Sequence, residues 1–90
     1  MTTPEISALL LSWMEVASKR KMLELRKALC NCRDILDGLL DAYPQYAMSK
    51  AAGVRKALAG MNQGDEQVIE IQKAFEEKMK EFAQIAKPLY

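Results

Sequence analysis

The sequence predicts an all-α fold, a long N-terminal helix packed against two shorter C-terminal helices as a helical hairpin or three-helix bundle. Three observations predict it. Half of the 90 residues are hydrophobic, enough for a core. Those residues recur at helical spacing along most of the chain. The two interruptions, Tyr43-Pro44-Gln45-Tyr46 and Asn62-Gln63-Gly64-Asp65, carry turn chemistry. A chain of this length fits one domain, residues 1–90, with helices expected over about 4–42, 47–61 and 65–87.

The first helix starts at Thr3-Pro4-Glu5. Thr3 suits the cap, Pro4 the first helical position, and Glu5 the positive end of the helix dipole. Ile6, Leu9, Leu10, Trp13, Val16 and Ala17 then follow a helical spacing, and Leu11 and Met14 widen the stripe beyond one face. Lys19-Arg20-Lys21 interrupts it. Glu15 to Lys19 is a favourable i,i+4 pair, and no Gly or Pro marks a kink nearby, so the helix is expected to run on. From Leu25 the pattern sharpens into a heptad seam, Leu25, Leu29, Cys32, Leu36, Leu39 and Tyr43, broadened by Ala28 and Ile35. Gly38 lies inside it, either as a close crossing point or as the start of fraying.

Pro44 ends the first helix, because the residue before a proline is driven out of the helical region. The second helix starts between Pro44 and Ser49, with Ser49 a candidate cap, and Ala52, Gly53, Ala57 and Gly60 keep one side of it small. Gly64 is expected in the left-handed conformation and Asp65 as the next cap. Val68, Ile71, Phe75, Met79, Phe82 and Ala86 line the third helix, Glu76 and Lys80 pair on its outer face, and Pro88 stops it after Lys87.

Length sets a conflict. A helix from Pro4 to Ala42 would be about 58 Å long at about 1.5 Å per residue. A compact domain of this size is only about 30 Å across. Either the first helix breaks near Lys19 to Lys21, giving a compact four-helix bundle, or it stays whole and leaves apolar surface for a second chain. The unbroken helix is the reading preferred here.

Composition narrows the functions. Thirteen basic and twelve acidic residues give a net charge of +1, with no global pull toward nucleic acid or anionic lipid. Histidine is absent, which removes the commonest proton carrier and metal ligand. Cys30 and Cys32 point to different helix faces and are too few for a disulfide framework, so a reducing cytoplasm is expected. No basic residue precedes the apolar run Ile6 to Ala17, unlike a signal peptide, and that run is too short and polar to span a bilayer.

No chemical motif stands out. Cys32 reads as a small core residue and Cys30 as an off-seam thiol. Asp34, Asp37 and Asp41 share one helical strip, which a straight helix cannot wrap around a cation. An all-helical site clamping a dianion between Arg and Lys would need inward cations, and the basic residues fall on outward strips. No enzyme, metal or cofactor is expected. The expected function is a helical protein–protein interaction module, a small subunit, adaptor or chaperone-like partner that self-associates or binds a partner helix. Its partner face would be Ile6, Leu9, Leu10, Trp13, Met14, Ala17 and Leu25, with Trp13 the anchor. The alternative is a small nucleic-acid-binding regulator using the basic band Lys19, Arg20, Lys21, Arg26, Lys27 and Arg33. A membrane-surface role for Ile6 to Lys21 ranks below both.

Overall fold

Thr2 and Glu5 set the first helix by satisfying each other's free groups. The structure, a computed structural model, describes residues 2–85. In it α1 (Thr3–Lys19) is capped by Thr2, one residue earlier than expected. Thr2 Oγ1 accepts the Glu5 N–H at 3.4 Å, and Glu5 Oε1 accepts from the Thr2 N–H at 3.3 Å and its hydroxyl at 2.8 Å. This reciprocal capping box lowers the Glu5 carboxyl pKa, the side-chain bond from Thr2 being the largest cause.

The helix does not run on through the cationic triplet. It closes at Arg20, and α2 (Leu23–Asp34) begins three residues later. Lys21 takes φ 58°, the left-handed region, the only non-glycine residue among those described to do so. The Lys21 N–H then donates to Ser18 O (3.1 Å) and the Met22 N–H to Ala17 O (2.8 Å). These two bonds are a Schellman closure, which satisfies carbonyls a helix end otherwise leaves open. The expected unbroken helix is therefore corrected to two helices folded back on each other. The Glu15–Lys19 pair forms at 3.6 Å, but both side chains are exposed, and it is too weak to carry the helix across.

After α2 the backbone widens into a π turn, Ile35–Leu39, before a short α3 (Leu40–Ala42). Gly38 sits in that turn at φ 120°, ψ 2°. It neither brings helices close nor frays the end; a Cβ there would meet nothing within 4 Å. The effect is on register. Ile35 and Leu40 are fully buried, whereas Tyr43, the last position of the expected seam, is 66% exposed. An extra residue in the turn advances the buried face, so the heptad count fails beyond it.

The chain turns at Tyr43 (φ −137°) and α4 (Pro44–Ala59) starts directly at the proline. Ser49 is not its cap; the Ser49 hydroxyl donates to Tyr46 O at 2.6 Å inside the helix. At the far end Gly64 is not left-handed. The Gln63 amide instead donates to Leu58 O and Met61 O, both at 2.9 Å, taking over carbonyls that a glycine closure would have served. Asp65 does cap α5 (Glu66–Ile85), its carboxylate accepting the Gln67 N–H at 2.9 Å. Glu76 does not use Lys80; it reaches across to Arg55 on α4. The expected Ala86, Lys87 and Pro88 features lie outside the described residues.

The result is all-α: among the described residues α1, the continuous arm from α2 to α3, α4 and α5 form one compact unit with a radius of gyration of 13.2 Å, near the ~12 Å expected for a compact chain of this length. No strand occurs among the described residues. α1 and α2 run antiparallel, shown by the Arg33 Nε–H donating to Ser7 Oγ at 2.8 Å. Leu10, Leu29, Cys32, Ile35, Leu40, Val54, Leu58, Ile71 and Phe75 meet in one core. α5 lies against α4 and the π turn, fastened by Arg55–Glu76 and Lys78–Asp41.

Candidate functional site

Folding α1 back on α2 decides where the predicted partner residues go. Leu10 and Ala17 are buried, and Ile6, Leu9, Trp13 and Met14 are half-buried, packed against the core from its edge. What α1 shows to solvent is Leu11 and Val16, on a face that also carries Ala8, Ser12, Glu15 and Lys19. Isolated apolar residues of this kind are ordinary protein surface. So six of the seven residues are engaged inside the unit, and Trp13 in particular serves its packing. The seventh, Leu25, is also half-buried and lines the groove between α2 and α4, while Ile6 lines two smaller hollows beside α5.

That groove runs between α2 and α4 and encloses about 530 Å³. Leu25 and Ala28 from α2, Gly53 and Ala57 from α4, and Gly60 and Met61 just past its end supply its apolar surface. Helical spacing explains the composition. Leu25 and Ala28 flank the buried Leu29, and Gly53, Ala57 and Gly60 follow the same outer side of α4 beside the buried Val54 and Leu58. The sequence suggests that these small residues let a neighbouring helix come close. Among the described residues none does. A methyl at Gly53 would meet nothing within 4 Å, and one at Gly60 only the Lys56 and Ala57 carbonyls at ordinary contact distance. Gly53 thus weakens α4 by about 1 kcal/mol relative to alanine with no internal packing that requires it.

The groove edge is cationic. Lys27 stands on the α2 side and Lys50 and Lys56 on the α4 side, against one carboxylate, Glu24. None of the three lysines forms an ion pair among the described residues, although Lys50 lies 5.3 Å from the Tyr46 ring centre. Sequence alone places Lys27 in one basic band and Lys50 and Lys56 in another group. Only the α2–α4 packing puts them on one opening.

The other predicted features separate. Within the basic band, Lys19 pairs with Glu15, and Arg33 with Asp37 at 3.8 Å as well as with Ser7. Asp41 pairs with Lys78 at 3.7 Å, and Asp34 accepts a long contact from the Cys30 thiol at 3.8 Å. Cys32 is fully buried, and that burial pushes its thiol up to about 12, so it stays protonated at neutral pH. Among the described residues no three Cys, Asp or Glu side chains gather as a metal site, and no helix is long and apolar enough to cross a membrane. No family model matches the chain, and comparisons with curated proteins and with solved structures give no match.

Proposed function

We propose that the chain is a non-enzymatic helical protein–protein interaction module, a small subunit, adaptor or chaperone-like partner, that binds a helix in the α2–α4 groove. The observation that carries this reading is the groove itself. The helices close the core, yet an apolar trough remains open beside it, and at Gly53 and Gly60 on its surface no contact among the described residues requires a small side chain. Helix-in-groove recognition uses such a trough, with anchors at i, i+3, i+4 and i+7. A small molecule fits it less well, because ligand sites enclose most of their ligand and this groove lies open to solvent. Relative to the sequence reading, the recognition face moves from α1 to α2 and α4, with Leu25 common to both.

The nucleic-acid alternative is the weaker reading. Two of the six cations in its band, Lys19 and Arg33, already face acidic side chains.

Site-specific photo-crosslinking tests the proposal. A photoreactive residue at Lys56, on the groove edge, should crosslink to another polypeptide. The same residue at Ser12, on the outer face of α1, should crosslink far less. Equal yields at the two positions, or no polypeptide captured at Lys56, would remove the groove as the docking face.

A further inference from the structure

We propose that the occupant of the α2–α4 groove is an acidic amphipathic helix of a partner protein. This rests on the reading of the groove as a docking site and adds the chemistry of what docks there. Charge complementarity selects it. Three lysines with no ion pair among the described residues border the opening on both sides, and a single glutamate opposes them. An apolar seam flanked by carboxylates on both sides satisfies the floor and both edges together. A seam flanked by lysines satisfies only the floor and sets like charges against each other. The groove wall from Met22 to Asn31 spans about 14 Å, so the contact involves roughly two and a half turns of helix. With Gly53, Ala57 and Gly60 on the floor, the backbones can approach closely, and the seam facing them takes Leu or Ala.

A second copy of this chain is a poor occupant. The acidic helix it could offer is α5, and the apolar side of α5, Val68, Ile71, Phe75 and Met79, is already buried in its own core. The outer face of α1 interrupts Leu11 and Val16 with Glu15 and Lys19. A lipid surface is also disfavoured, since the apolar residues line a trough and a bilayer needs them on a projecting face.

The test uses two synthetic helices of about four turns that share one Leu/Ala seam, one flanked by Glu and the other by Lys. Binding is read by fluorescence anisotropy and by amide shifts in the isotope-labelled full chain. The Glu-flanked helix should bind, shift Ala28, Gly53 and Ala57, and weaken about tenfold or more as salt rises from about 0.05 to 0.5 M. The triple variant Lys27→Glu, Lys50→Glu, Lys56→Glu should lose that helix and gain the Lys-flanked one. All three positions lie on the groove edge, and this reversal of preference cannot come from misfolding. Gly53→Met should fill the trough and abolish binding while leaving the thermal midpoint equal or higher. Equal binding of both helices would overturn the acidic occupant and leave the docking groove standing. No groove shift with either helix would overturn both. Shifts at the groove produced only by duplex DNA, by anionic vesicles or by self-association would replace the occupant with that one.

Discussion

Replacing Lys21 by glycine should make this protein more stable, and the sign of the change is diagnostic. Lys21 holds φ 58° in the turn between α1 and α2. An L-residue in that region is disfavoured by about 1–2 kcal/mol, a cost glycine does not carry. Glycine loses more freedom on folding, which returns about 0.5–1 kcal/mol of the gain. The net expectation is about 0.5–1 kcal/mol of added stability. For a domain of this size that is roughly 2–6 °C in the thermal midpoint. Removing a lysine from the run Lys19-Arg20-Lys21 also relieves repulsion, so the proper reference is Lys21→Ala, which lacks the charge but keeps a Cβ in the left-handed region. Urea unfolding followed by circular dichroism at 222 nm, with Lys21→Gly compared against Lys21→Ala, gives the difference. If the two helices were one unbroken rod, position 21 would be a helix interior, and glycine would cost about 1 kcal/mol relative to alanine. A glycine variant less stable than the alanine variant by that amount would refute the turn.

Gly38→Ala carries the opposite lesson. Helix propensity alone predicts a gain, but φ 120° predicts a loss of about 1–3 kcal/mol in the same unfolding assay. Cys32, its thiol pushed up to about 12 by burial, keeps its proton in the folded chain above pH 9 while the unfolded chain releases it. The unfolded state then binds fewer protons, so stability falls as pH rises. About 1.5 kcal/mol should be lost between pH 8 and pH 10 in the wild type relative to Cys32→Ala. Under native conditions at pH 8 a thiol reagent should modify Cys30 well before Cys32. Arg55 joins α4 to α5 through two bonds to Glu76 at 2.8 and 3.0 Å, which also push its guanidinium further up. Both side chains are about half exposed, so Glu76→Gln should cost only about 0.5–1 kcal/mol, shrinking at high salt, and Arg55→Lys should not restore the paired geometry.

Much of this fold can be read from the chain, and the misreadings have physical causes. Val68, Ile71, Phe75 and Met79 are legible because their spacing, the Asp65 cap and the buried face all agree. The α1–α2 turn is hidden because its left-handed position holds lysine, where glycine or asparagine would normally mark a helix end. One signal was available. Extending the buried line of Leu10, Met14 and Ala17 by steps of four and three lands on Lys21 and Glu24, which no core would accept. The groove was less legible still. Small residues on α4 show that something can approach closely, but only the packing shows that none of the described residues does. Lys27 is more than twenty residues from Lys50 and Lys56, and no periodicity joins them.

The first forty residues fold back on themselves, burying the apolar side of α1. Spin labels at Thr3→Cys and Asp37→Cys, in a Cys30→Ser, Cys32→Ala background, test it most directly. Both positions are exposed, and Thr3 shares a surface hollow with Leu36. Pulsed electron resonance, with labelled chains diluted in excess unlabelled protein to exclude exchange between copies, should give a distance below about 25 Å, given neighbouring helix axes about 10 Å apart plus the label arms. A distance near 50 Å, the span of an unbroken rod at about 1.5 Å per residue, would contradict the account.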